Sequence, residues 1–124
     1  MTDQETFDKV ARHLLTQKER SMCLNNTNCA YRGVDGLKCA VGALIPDELY
    51  TPDLEGQNCD DPEVAMVLEG LGYRNTYLCR RLQMVHDTIE PARDGHCLGW
   101  KHWLAEVAKD FGLSSAVLQE FDSP

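Results

Sequence analysis

Apolar residues recur at Phe7, Val10, Ala11, Leu14 and Leu15, three and four positions apart. That spacing puts them on one face of an α-helix, predicted from about Asp3 to Glu19. Thr2 and Glu5 fit the S/T-x-x-E capping box that opens such a helix. A second helix is predicted after Asp61, with Asp as N-cap, Pro62 at the first position, and Val64, Val67, Leu68 and Leu71 facing inward. Gly70 or Gly72 ends it. Asn75 or Thr76 caps a third, whose stripe is Leu78, Leu82, Val85 and Ile89. The last long helix holds Trp100, Trp103, Leu104, Val107, Ala108 and Phe111 and stops at Gly112, and Ser114 caps a final short helix.

Between the first two helices the period is lost. Asn25 to Asn28 is polar and reads as loop. Ala30-Tyr31-Arg32 and Leu37-Lys38-Cys39 flank a Gly/Asp turn, which predicts a small β-hairpin near residues 30–39. Cys39 to Ile45 is apolar and fits a strand or a short buried helix; the small residues Ala40, Gly42 and Ala43, which allow close helix packing, favour the helix. Pro46-Asp47-Glu48 and Thr51-Pro52-Asp53 start short helical turns. The expected fold is therefore mainly α: one compact helical bundle spanning residues 1–124, with a small hairpin.

Composition narrows the class. The chain has 124 residues, enough for one modest core. No apolar run approaches the roughly 20 residues of a membrane span, so no membrane partner is expected. The start, Met1-Thr2-Asp3-Gln4-Glu5, lacks the basic and apolar regions of a secretory signal. A cytoplasmic, reducing setting is expected, and with it reduced thiols at Cys23, Cys29, Cys39, Cys59, Cys79 and Cys97. No C-x-x-C pair is present.

Charge changes the picture more. The formal net charge is −8, which argues against direct nucleic-acid binding. The surplus is local. Residues 39–73 contain no Lys or Arg but hold Asp47, Glu48, Asp53, Glu55, Asp60, Asp61, Glu63 and Glu69; the rest of the chain balances 12 acids with 12 bases. Clustered carboxylates steer basic partners, and Asp47, Glu48, Asp53, Glu55, Asp60, Asp61 and Glu63 are the expected partner-binding residues. The bland alternative is capping: Asp47, Asp53, Asp61 and Glu63 all suit helix starts.

The run from Cys29 to Asp47 resembles a group of small uncharacterised bacteriophage and prophage proteins with the pattern C-x-Y-R-G-x-x-G-x-K-C-A-V-G-x-L-I. The likeness is looser around Met84 to Asp87 and Trp103 to Ala108. That group has no established activity, so no catalytic residue carries over. What the resemblance implies is a bacterial host cytoplasm and an accessory protein that binds a host protein. The leading expectation is a non-enzymatic binder of a basic host surface, in the manner of an inhibitor of a nucleic-acid-binding or anti-phage defence complex, with no cofactor.

Other chemistries compete. Cys39 follows Lys38 and could start a helix, which favours a thiolate; His86-Asp87 would supply a base, although neighbours on a helix point apart. His86, His96, Cys97 and His102, with Cys79, offer zinc ligands without the usual paired spacing. Arg74, Arg80 and Arg81 form a basic spot. Trp100 and Trp103 read as core, with one of them a candidate interface anchor. A self-associating phage structural component is the remaining reading.

Overall fold

The computed structural model describes residues 2–23, 29–89, 91 and 99–121. Four α-helices are present among them: α1 (Asp3–Gln17), α2 (Pro62–Gly70), α3 (Thr76–Thr88) and α4 (Trp100–Asp110). Short 3-10 turns occupy Val34–Gly36, Gly42–Leu44, Asp47–Leu49, Pro52–Leu54 and Ala116–Glu120. The mainly α expectation holds.

The capping box closes as expected: the Glu5 amide donates to Thr2 Oγ1 at 3.1 Å, and the Thr2 amide donates to Glu5 Oε1 at 3.0 Å. The helix ends at Gln17, two residues earlier than predicted, because Lys18 turns into the left-handed region (φ 64°). Asn75 caps α3 through the Leu78 amide. Asp61 stands at the N-cap position of α2, but its carboxylate accepts from the Asn58 amide instead of from the helix.

α1, α3 and α4 pack together, and the Gly42–Leu44 and Ala116–Glu120 turns close on α1. Phe7, Val10, Leu14, Leu78, Leu82, Trp100 and Leu104 are fully buried at their shared centre. Each buried side chain of this size contributes about 1.5–3 kcal/mol of transfer free energy. Val41, Leu44 and Ile45 join the same core from the irregular segment.

That segment is not a hairpin. Among the described residues there are only isolated bridges, Met22 with Cys29 and Arg32 with Lys38, and no strand. The reason lies in where the backbone bonds go. The amides of Tyr31 and Arg32 donate to the two oxygens of Glu55, at 2.9 and 3.0 Å. The Gln17 amide group exchanges two bonds with the Lys38 backbone, as a neighbouring strand would. The Val41 amide donates to Gln83 Oε1. Side chains replace the strand partner, so no ladder grows.

Cys39 to Ile45 is largely buried and helical as expected, but only as a single 3-10 turn at Gly42–Leu44. Gly42 passes so close to Tyr31 that a Cβ would lie 2.3 Å from the Tyr31 carbonyl oxygen. Both proline-led segments form turns as expected, at Asp47–Leu49 and Pro52–Leu54. The Asn25–Asn28 loop lies outside the described residues.

Candidate functional site

A cleft of about 1110 Å³ opens between the irregular segment and α3. Cys29, Tyr31, Arg32 and Cys39 line one side. Gln83, Met84 and Asp87 of α3 line the other. The side-chain ligand atoms of Cys29, His86 and Asp87 meet here within 4.8 Å of one another.

His86 is fully buried and stacks on Trp100, ring centres 5.5 Å apart. Its Nε2 accepts from the Ser21 backbone amide at 2.9 Å. Nδ1 therefore carries the ring proton and donates it to Asp87 Oδ1 at 2.7 Å. The two neighbours do meet, contrary to the helical-direction expectation. Nδ1 sits next to the ring's attachment point, close enough to the helix surface for a short carboxylate to fold back onto it. Asp87 also accepts from Gln83 Nε2 at 2.7 Å.

These bonds decide the chemistry. A metal on Nδ1 would displace the proton, and a neutral ring would then carry it on Nε2, facing the Ser21 N–H. Two buried donors in opposition leave both unsatisfied, at about 1–3 kcal/mol each. The arrangement is thus built around a proton. A thiol nucleophile fits no better. Burial, then the charge and hydrogen bond of Asp87, push the Cys29 thiol up to about 11. Cys39 is buried, accepts from the Gly42 amide and is pushed up strongly, chiefly by burial; the expectation of a thiolate beside Lys38 fails because the sulfur points into the core. Burial also raises Cys79, to about 12. A reactive thiol needs the opposite shift.

Among the described residues, the expected zinc ligands Cys79, His86 and His102 form no cluster with one another. His102 lies exposed against the edge of Trp103, while His86 and Cys79 are buried. His96 and Cys97 lie outside the described residues. Of the tryptophans, Trp100 is core and Trp103 is 40% exposed.

The acids divide into two groups. Glu55 points inward, accepting from Tyr31, Arg32 and the Tyr50 hydroxyl. Asp61 holds the Asn58 amide, and Asp60 pairs with Arg80 at 3.6 Å. Asp47 is 82% exposed yet pairs with Arg32 at 3.1 Å and Lys38 at 3.8 Å. Glu48, Asp53, Glu63 and Glu69 are exposed, and their side chains have no partner among the described residues. Leu49, 44% exposed, sits between Glu48 and Asp53 in sequence; Met66, 74% exposed, sits between Glu63 and Glu69.

No protein-family model, curated protein or solved structure matches this chain. The Cys29–His86–Asp87 cluster was not legible in the sequence, because Cys29 and His86 are far apart along the chain and no spacing rule joins them. Nor is there a helix long and apolar enough to cross a membrane among the described residues.

Proposed function

We propose that this chain is a non-catalytic, phage-type accessory protein that binds a basic surface of a host protein through its acidic face. The supporting observation is the turn pair Asp47–Leu49 and Pro52–Leu54. It presents Glu48 and Asp53, acids with no partner among the described residues, with the exposed apolar Leu49 between them in sequence. An apolar contact ringed by charge is the composition of a docking surface: the charges steer approach, and the apolar side chain holds. Asp47 and Glu55 contribute differently from the expectation, because both are engaged within the fold.

The test is capture from a bacterial lysate at low and high ionic strength, comparing the parent chain with the Glu48→Lys, Asp53→Lys double variant. The reading expects a basic partner that the parent retains more strongly at low salt and that the variant binds about tenfold more weakly, roughly 1.4 kcal/mol. An identical set of captured proteins with identical salt dependence would sink it. Inhibition of a nucleic-acid-binding or defence complex is the concrete form this binding takes in the proposal. The partner's identity in that capture decides that point.

A further inference from the structure

The outward face of α3 is a second surface with a different composition. Tyr77, Arg80 and Met84 lie exposed at i, i+3 and i+7; Tyr77 is 74% exposed and Met84 54%. With Arg81 and Phe111 they line a shallow groove of about 280 Å³. Tyr, Met and Arg are the residues enriched at protein interfaces, and a stripe at this spacing is the footprint of a docked helix. Arg80 and Arg81 line the groove, each with one acid of its own fold beside it (Asp60 at 3.6 Å, Asp110 at 2.8 Å), and Arg74, just before α3, is exposed with no partner among the described residues. The groove therefore fits a short helix that is acidic with an apolar centre.

The chain itself carries such a helix. The outward face of α2 presents Glu63, Met66 and Glu69 at i, i+3 and i+6, both acids unpartnered among the described residues and Met66 protruding. The Asp60–Arg80 ion pair, 3.6 Å long, ties the turn before α2 to the outward side of α3. A two-fold axis between the two faces would lay α2 of each copy on α3 of the other, satisfying both contacts at once, as an isologous interface requires. We propose that a second copy of this chain occupies the α3 groove, with Met66 seated between Tyr77 and Met84 and with Glu63 and Glu69 facing the arginines.

The net charge of −8 per copy opposes this contact. Salt near physiological strength screens that repulsion beyond about 8 Å and leaves the close pairs. The acids Glu48 and Asp53 stay outside the contact, so host binding and pairing are separable.

Sedimentation over a concentration series tests the proposal, using two charge-reversed variants. One is Glu63→Lys with Glu69→Lys. The other is Arg74→Glu with Arg80→Glu, which loses one exposed ion pair inside the fold and sets a like charge beside Asp60, both small effects at exposed positions. The parent should dimerise reversibly, and each variant alone should weaken association at least about tenfold. An equimolar mixture of the two should restore the dimer, because both α2–α3 contacts are again of opposite charge. Circular dichroism and thermal unfolding matching the parent show that each variant folds. The Glu48→Lys, Asp53→Lys variant should dimerise like the parent, which keeps this test apart from that of host binding. A parent that stays monomeric, variants that dimerise unchanged, or a mixture that fails to pair would each overturn the proposal. So would a groove that retains an acidic protein from lysate while the chain alone stays monomeric.

Discussion

Glu55 shows what one residue can be asked to do. By charge count it belongs to the acidic run, and nothing in its neighbourhood marks it as different. In the structure its carboxylate receives two successive backbone amides and a tyrosine hydroxyl. A carboxylate offers acceptors only, which suits three donors. Glu55→Gln preserves the shape but turns an NH2 group toward an N–H donor. The expected cost is about 2–4 kcal/mol, given the value of hydrogen bonds to a charged group and the penalty of leaving a donor unmet. Urea unfolding of the variant measures it, and a loss below about 0.5 kcal/mol would contradict the role assigned here. His86 teaches the same lesson. Its neighbour Asp87 is visible in the sequence, but the Ser21 amide that fixes its tautomer is not. Long-range partners of polar side chains carry no periodic signal.

At the scale of elements the helices were legible and the connections were not. A helix announces itself through a repeat of 3.6 and through local caps, and Thr2, Glu5 and Asn75 act within three residues of their targets. The hairpin expectation fails because two short pieces around a Gly/Asp turn state only that the chain is extended and reverses. They do not say whether a strand or a distant carboxylate takes the amides. The small residues of Cys39 to Ile45 did signal close approach, to α1 as expected and also to the Tyr31 backbone, against which Gly42 lies. Gly42→Ala should therefore be costly, since backbone cannot yield as a flexible side chain can. A loss of about 1–3 kcal/mol is expected from overpacking, read as a lowered thermal midpoint. An unchanged midpoint would show that the Tyr31 carbonyl moves freely.

Across the whole molecule, burial sets how stability responds to pH. Burial holds His13 below its ordinary 6.5, where its Nε2 is bonded to the Lys38 carbonyl. The fold thus favours the neutral ring: this stabilisation is complete above about pH 6.5 and drains away as pH falls through the lower folded value. The thiols act at the other end. Cys29 and Cys59 are raised to about 11 and Cys79 to about 12, from 9.0, chiefly by burial. Their contribution is complete below about pH 9 and is lost as pH rises through the folded values. Urea midpoints should form a plateau from about pH 7 to about pH 9 and decline on both sides. His13→Gln should flatten the acid limb, and an unaltered limb would assign it to other groups. The overall class and one-piece core followed from length and periodicity, whereas the cleft between the irregular segment and α3 did not, because it is made by residues brought together from separate stretches of chain. The way that segment is held also has a bearing on how the sequence can drift. Its donors are main-chain amides, which any residue but proline supplies, so positions 31, 32, 38 and 41 are free to change as far as these bonds are concerned. The acceptors Gln17, Glu55 and Gln83 are side chains with no common substitute. Variation is permitted where the irregular segment looks most distinctive, and restraint falls on three unremarkable polar residues elsewhere.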